Sequence, residues 1–218
     1  IWGVKAYHDT ALMLKTEKPE IVSICVPDEA HADVLEMCLR FRPKAVLCEK
    51  PLTTDLRRAK TIAAAYAKAG VVLAVNFSRR WNETIIRLRA DIRKGAFGTF
   101  LNAQGVYTKG ILHNGSHMID LLRYLLGEMG DVKALGGRVD WKSSDPSVDA
   151  FVTFAKGGGV HLLAGDERAF SVFDLQMLFS KARISLSNFG EDLIHERVIA
   201  DPALKGYKML APAKRTKT

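Results

Sequence analysis

The sequence has little cysteine, and it has no apolar segment long enough to cross a membrane. No apolar run among its 218 residues approaches the roughly 18 residues that a membrane-spanning helix requires. Residues 1–10 also lack the basic start and the apolar centre of a signal peptide. We therefore expect a protein that has no membrane partner and that resides in the cytoplasm.

The cysteines and histidines do not form a recognisable metal site. Cys25, Cys38 and Cys48 have neither a Cys-x-x-Cys pair nor metal-ligand spacing. Cys25 and Cys48 lie in apolar, strand-like runs, which favours buried thiols in a reducing compartment. His113 and His117 have the i, i+4 spacing of a metal pair, but no third ligand stands nearby in the sequence. We expect no metal.

The chain is basic, with a formal net charge of +8, but its basic residues are scattered. The densest basic run is KRTKT at the end of the chain. A nucleic-acid binder would need a contiguous basic face, so we do not expect nucleic acid as a partner. A nucleotide cofactor or a phosphorylated ligand would use the same charge.

The first part of the chain alternates strand and helix patterns. The apolar run IVSICVP at 21–27 is typical of a strand buried on both faces, as in a parallel sheet. Two further strands are predicted at 44–51 and 71–77, and helices are predicted at 8–17, 28–41 and 53–70. This alternation predicts an α/β fold, with part of a doubly wound parallel sheet of the Rossmann type.

The same pattern predicts the start of one helix, the end of another and the carboxyl ends of the strands. Asp28 is a candidate N-cap, and Gly70 is placed to end the helix before the third strand. In such sheets ligands bind at the carboxyl ends of the strands. Those ends are Pro27-Asp28, Glu49-Lys50-Pro51 and Asn76-Phe77-Ser78.

The pattern changes near residue 78, where we place a boundary between a domain at 1–78 and a second at 79–218. A helix is predicted at 82–94, then a strand in TFLNAQGVY and a helix in GSHMIDLLRYLLGE. Short apolar runs then recur about every ten residues, which is typical of antiparallel strands. The second domain is therefore predicted to be α+β, with a mostly antiparallel, open-faced sheet.

Glu49-Lys50-Pro51 puts two opposite charges at the edge of a core, which is costly unless something uses them. The alternative is a solvated turn. The sequence also contains VPDEAH, CEKPLTTD, VNFSRRW and GSHMIDLLRYLLGE, in that order. Over nearly its whole length it thereby resembles the glucose-fructose oxidoreductase/inositol dehydrogenase (Gfo/Idh/MocA) family.

The resemblance implies an NAD(P)-dependent oxidoreductase that transfers a hydride between NAD or NADP and a hydroxyl or keto group. Its substrate would be a sugar, a polyol or a sugar nucleotide. The open-faced sheet would form contacts in a homodimer or homotetramer. The family's first strand, glycine-rich phosphate loop and ribose-binding residue would precede Ile1. The alternative is a catalytically inactive NAD(P)-binding regulatory protein of the same fold.

The resemblance implies that Lys50 and His117 are catalytic. Lys50 would hydrogen-bond the reacting hydroxyl and favour a developing alkoxide, and the bond between Lys50 and Pro51 is expected to be cis. His117 would be the base, kept neutral by a position near the N-terminus of its helix. Asp120, three residues on, would either orient His117 or tie the helix to the other domain. A pure sensor would not need both Lys50 and His117.

The remaining site residues are also implied by the resemblance. The expected cofactor contacts are Pro27, His31, Glu49, Lys50, Pro51 and Arg80. His31 could instead be an exposed helix residue, and Glu49 a plain strand-end charge. The expected substrate contacts are Lys50, Tyr107, Lys109, His113, Asn114 and His117. Asn114 could instead be an N-cap, and His113 stands where many relatives carry Asp.

Overall fold

The computed structural model describes residues 3–211 and 213–217. Contacts along the chain divide it into two compact units, Ile1–Phe77 and Ser78–Thr218. We call them the N-terminal unit and the C-terminal unit. None of the helices in the described residues is long and apolar enough to span a membrane.

The N-terminal unit is a three-stranded parallel sheet with helices between its strands. In chain order it contains α1 (Thr10–Glu17), β1 (Ile21–Ile24), a 3₁₀ turn (Asp28–Ala30), α2 (His31–Phe41), β2 (Ala45–Cys48), α3 (Leu56–Ala69) and β3 (Val72–Val75). The strands lie in the order β1-β2-β3. This Rossmann-like arrangement confirms the predicted fold class, and it brings the carboxyl ends of all three strands to one edge.

Side-chain and glycine caps explain where two of these helices begin and end. Asp9 accepts a hydrogen bond from the amide of Leu12, and Asp55 accepts one from Arg58. Gly70, with φ of 68°, ends α3 in the left-handed conformation that glycine adopts readily. The predicted cap at Asp28 is wrong, because this residue opens the 3₁₀ turn and α2 begins at His31 without a side-chain cap.

The sheet of the N-terminal unit is buried on one face rather than on both. Val22 and Ile24 are buried, whereas Ile21 is 69% exposed. The buried residues of α1, α2 and α3 join one core with the buried strand residues. This corrects the prediction for β1, because the described helices all cover the same face. The prediction that Cys25 is buried is also wrong, because Cys25 is exposed. Cys38 and Cys48 are buried and belong to that core.

The C-terminal unit is a nine-stranded sheet with two helices packed into the same core. In chain order it contains a 3₁₀ turn (Ser78–Trp81), α4 (Glu83–Arg93), β4 (Phe100–Tyr107), a π-helical turn (Gly110–Gly115), α5 (Ser116–Leu126), β5 (Met129–Lys142), β6 (Asp145–Phe154), β7 (Gly159–Ala164), β8 (Phe173–Phe179), β9 (Ala182–Ser187), a 3₁₀ turn (Asn188–Gly190), β10 (Asp192–Ala200), β11 (Lys208–Leu210) and β12 (Lys214–Lys217). The strand order is β11-β10-β9-β8-β4-β7-β6-β5, and β12 pairs with β10. All pairs are antiparallel except β4 with β7, which confirms a mostly antiparallel sheet.

Candidate active site

Hydrogen bonds connect the three strand ends of the N-terminal unit. The amide of Glu49 donates to the carbonyl of Ile24 at 2.9 Å, and the amide of Asn76 donates to Cys48 at 2.8 Å. The side-chain amide of Asn76 donates to Glu49 Oε1 at 2.7 Å. Glu49 is therefore tied to the neighbouring strand end. Sequence reasoning placed Asn76 at this edge but gave it no role.

Lys50 lies half-buried at this edge, joined to the buried Pro51 by a cis peptide bond, as expected. The carbonyl of Pro51 contacts His31 Nδ1 at 2.6 Å. His31 Nε2 lies 3.0 Å from the carbonyl of Val26. The loop that carries Lys50 is thus joined through one imidazole to the segment that follows β1.

His31 is 0% exposed, and both of its ring nitrogens contact main-chain carbonyls. This corrects both expectations for His31. It is not an exposed helix residue, and it has no ring nitrogen left for a cofactor. Pro27, by contrast, is exposed at the start of the 3₁₀ turn.

In the C-terminal unit, the helix that carries His117 begins earlier than predicted. Gly115, with φ of −59° and ψ of −34°, is helical, so the π-helical turn runs directly into α5. The first amides of the helical stretch belong to residues near Gly110, and His117 lies beyond them. The helix-dipole effect on His117 stays a prediction. The earlier start also corrects Asn114, which lies inside the turn and is not an N-cap.

A carboxylate and a hydroxyl from β6 cap the π-helical turn. Asp145 Oδ1 accepts from the amide of Leu112 at 2.8 Å, and Asp145 Oδ2 accepts from His113 at 3.0 Å. Ser147 Oγ accepts from the amide of Gly110 at 2.9 Å. Orphan amides at a helix start need such partners. The β5–β6 hairpin therefore fixes the turn that leads into His117.

Asp140 holds the residue just before the turn. Its carboxylate accepts from the amide of Lys109 at 2.9 Å and from the Ser147 hydroxyl at 2.8 Å. Burial opposes ionisation of Asp140, but these bonds and one from the amide of Glu167 outweigh it and lower its pKa. Asp140 is therefore a buried carboxylate stabilised in its charged form.

Lys109 and His113 gather around Trp141. The Lys109 ammonium lies 4.5 Å from the centre of the indole, and the His113 ring lies 6.1 Å from it. Trp141 is 45% exposed and belongs to β5, a strand that sequence reasoning missed. The available signal was a single tryptophan flanked by charged residues in VDWKSSD.

Tyr107 is fully buried, and its hydroxyl both donates to the carbonyl and accepts from the amide of Val148, at 2.9 Å and 2.8 Å. Burial is the main reason why the pKa of Tyr107 is raised to about 12. The expectation that Tyr107 contacts a substrate is therefore wrong. Its side chain points into the core and fastens β4 to β6.

Asp120 binds Arg80. Arg80 donates to both carboxylate oxygens of Asp120 at 2.7 to 3.0 Å. This hydrogen-bonded pairing raises the pKa of Arg80. Both residues belong to the C-terminal unit, and the two roles expected of Asp120 stay predictions. The ion pair commits Nε and one Nη of Arg80, and its contact with the cofactor stays a prediction.

The comparisons with known proteins agree with this arrangement. Residues 1–77 match the GFO_IDH_MocA family model, described as an oxidoreductase family with an NAD-binding Rossmann fold. By this match, the N-terminal unit belongs to the Gfo/Idh/MocA oxidoreductase family. In the described residues, no group of three or more His, Cys, Asp or Glu side chains could hold a metal ion.

Curated relatives in the Gfo/Idh/MocA family include dehydrogenases of polyols. The chain is 24% identical over 215 residues to a myo-inositol 2-dehydrogenase of Thermotoga maritima, covering 87% of this chain and 63% of the relative. It is 33% identical over 171 residues to an inositol 2-dehydrogenase of Streptomyces avermitilis, covering 72% and 50%. The chain thus spans less than two thirds of the length of these relatives.

Solved structures share the fold over almost the whole chain. An NAD-binding oxidoreductase from Klebsiella pneumoniae superposes with a TM-score of 0.80 at 18% identity, over 98% of this chain and 64% of that one. The WlbA dehydrogenase of Bordetella pertussis, in complex with NADH and UDP-GlcNAcA, gives a TM-score of 0.79 at 18% identity, over 92% and 64%. At this identity the likeness establishes the Gfo/Idh/MocA fold alone.

Each of the two units, taken by itself, brings some of the predicted site residues together. The N-terminal unit brings Glu49, Lys50 and Pro51 to one sheet edge, next to Asn76. The C-terminal unit places Lys109 and His113 at Trp141, on the turn that leads into His117. Tyr107 and His31 are no longer candidates for ligand contacts, because their side chains are buried.

Proposed function

We propose that the protein is an NAD(P)-dependent dehydrogenase acting on a hydroxyl or keto group of a sugar, polyol or sugar nucleotide. The observation that carries the proposal is the sheet edge at which Lys50 lies beside the Glu49–Asn76 hydrogen bond. Ligands bind at this edge of an open α/β sheet. Polar groups next to a buried core are costly unless something uses them, and the packing of the core does not require them. The named activities of the relatives support the same class of reaction.

The residues present fit one part of a dinucleotide. Glu49 offers a carboxylate and Lys50 an ammonium, which are suitable groups for binding ribose hydroxyls. None of the three segments that follow β1, β2 and β3 contains glycine before the next helix begins. A phosphate loop is therefore not among the described residues of this unit. We assign Glu49, Lys50 and Pro51, with the exposed Pro27, to the ribose and nicotinamide side.

The catalytic roles follow from the chemistry of alcohol oxidation. The cofactor, when bound, supplies hydride transfer. Lys50 would donate a hydrogen bond to the reacting oxygen and stabilise the negative charge that develops there. His117 would accept the hydroxyl proton on a ring nitrogen, because imidazole exchanges protons near neutral pH. A regulatory protein without turnover would need neither function.

The first test is cofactor binding and turnover in the full-length protein. We expect NADH or NADPH to bind at micromolar concentration, measured by nicotinamide fluorescence. Lys50→Ala should lower kcat by about a hundredfold or more, while the Kd for the cofactor changes much less. Lys60→Ala, an exposed lysine on α3, is the matched control.

Two results would contradict the proposal. If neither dinucleotide binds the intact protein, redox chemistry is excluded. If Lys50→Ala and His117→Ala both retain the turnover of the parent, the assigned residues are wrong. Binding of the dinucleotide without turnover of inositols, pentoses or hexoses would favour the regulatory alternative. The oligomeric state and the cytoplasmic location remain predictions beside this proposal.

A further inference from the structure

Lys109, His113 and Trp141 form a cluster, here called the basic platform, on the surface of the C-terminal unit. Trp141 is its centre, with the Lys109 ammonium 4.5 Å and the His113 ring 6.1 Å from the indole. Lys142 adds a second ammonium 6.0 Å from the same ring. Attraction between a cation and an indole face holds the Lys109 ammonium at Trp141.

The backbone under the basic platform is rigidly held. The amide of Lys109 binds Asp140, and the amide of His113 binds Asp145. Gly110, between them, has φ of 80°, and a Cβ at this position would lie 2.1 Å from Asp145 Oδ2. Because only glycine fits there, the two basic residues start from a defined backbone.

The nearby carboxylates point inward. Asp140 is 4% exposed and Asp145 is 7% exposed. Their oxygens accept the hydrogen bonds that hold the turn, including bonds from Lys109, Leu112 and His113. The basic platform therefore carries the Lys109 ammonium at its surface, while Asp140 and Asp145 accept hydrogen bonds from main-chain amides of the turn. Such a surface favours an anion over a neutral hydroxyl, which also needs acceptors.

We propose that the basic platform binds an acidic group, a carboxylate or a phosphate, carried by the substrate. This inference rests on the proposed dehydrogenase function and narrows its substrate to acidic sugars or polyols. His113 lies four residues before His117 in one continuous helical stretch, and residues at that spacing are neighbours on a helix. The acidic group would thus lie next to the residue assigned as the base.

The test compares three probes of similar ring structure: D-glucuronate, D-glucose 6-phosphate and D-glucose. Their Kd values are measured by titration calorimetry on the full-length protein, with and without NADH. We expect at least one acidic probe to bind roughly ten- to a hundredfold more tightly than D-glucose, as charged hydrogen bonds predict. This preference should weaken as salt is added.

Two variants test the assignment. Lys109→Met should weaken binding of the acidic probe by roughly tenfold or more and change the Kd of D-glucose much less. Trp141→Leu should weaken the acidic probe because the ammonium loses its support. Lys133→Met is the control, since this exposed lysine on β5 lies eight residues from Trp141, roughly 25 Å along an extended strand.

The outcomes separate the two proposals. Equal Kd values for the acidic probes and D-glucose overturn the basic platform, even if the protein binds NADH. Equal losses in Lys109→Met and Lys133→Met overturn it as well, because any surface charge would then suffice. Absence of binding of both NADH and NADPH refutes the dehydrogenase, whereas the titrations without cofactor still test the basic platform. A preference for glucuronate or for the phosphate identifies which acidic group is bound.

Discussion

At the scale of single residues, His31 has the most consequential change of role. The sequence suggested a cofactor contact or an exposed helix position, whereas the structure buries its ring between two main-chain carbonyls. One of those carbonyls belongs to Pro51, next to Lys50. His31 is therefore a positioning residue for the loop that carries the proposed catalytic lysine.

His31→Ala should destabilise the protein and impair turnover together. A neutral imidazole has one N–H, so one main-chain carbonyl, of Pro51 or of Val26, loses its donor, which costs about 1–3 kcal/mol of unfolding free energy. We expect His31→Asn to restore part of the stability, because one amide donor remains. Urea unfolding measures the loss of stability. The kcat of the variant, which keeps Lys50, measures the loss of turnover. His8→Ala, an exposed histidine in the same unit, is the control.

Unchanged stability of His31→Ala would show that the ring does not support the strand ends. Loss of stability with unchanged kcat would show that the ring is structural without positioning Lys50. Tyr107 is a simpler case of the same kind. Its place at the end of β4 was readable from the sequence, but the direction of its side chain into the core was not.

At the scale of elements, the π-helical turn depends on a strand that is distant in sequence. Its amides are capped by Asp145 and Ser147 of β6, and Asp140 of β5 holds Lys109. A predicted N-cap at Asn114 was reasonable from local sequence alone. The cap came instead from the next hairpin, which only folding of the sheet could bring there.

The hydrogen bonds to Asp140 predict a pH dependence of stability. Because the folded state lowers the pKa of Asp140, its contribution is full above the ordinary aspartate pKa of about 4 and is lost as the pH falls through the lower folded value. The unfolding free energy of the parent should therefore exceed that of Asp140→Asn most clearly above about pH 4, and the difference should shrink in more acidic solution.

Urea unfolding of both proteins across that range tests this expectation. Asp131→Asn removes an exposed carboxylate from the same strand and serves as the control. A difference between parent and Asp140→Asn that stays constant with pH would show that the charge of Asp140 contributes nothing to stability.

At the scale of the whole molecule, the nine-stranded sheet has a face without helices from the described part of its unit. Along β8, Leu175, Met177 and Phe179 are buried in the core, and Leu178 alternates with them on the other face. That face also carries the ion pair between Arg183 and Glu196. A sheet face that no helix of its described unit covers can contact a second copy of the chain, as the family resemblance implies.

Leu178→Glu should shift the full-length protein from a homo-oligomer toward the monomer. The new charge would be desolvated in an interface but stays hydrated in the monomer. Light scattering coupled to size exclusion gives the mass, and the unfolding free energy should change little. Lys133→Glu, on exposed edge strand β5, is the control. A monomeric parent protein, or an oligomer indifferent to Leu178→Glu, would contradict the expectation.

Local sequence alone determined much of the N-terminal unit. Apolar runs, Asp55 and Gly70 predicted strands and a helix close to their observed bounds, because caps and periodicity act over a few residues. The sequence also pointed to Lys50 and His117 through their motifs. It did not reveal that β1 is open on one face, since burial depends on what packs against a strand rather than on the strand itself.

Only the tertiary structure decided which side chains meet. Asp120 pairs with Arg80, and His31 joins two strand ends. Trp141, which lies on a strand that sequence reasoning missed, contacts Lys109 and His113. Most residues of β5 are exposed, so buried and exposed positions do not alternate along it as they do in a typical strand. Its glycines interrupt the strand pattern as well. These contacts join residues about 20 to 40 positions apart. Nothing in the local sequence specifies such pairs, because they form only when the sheet brings its strands together.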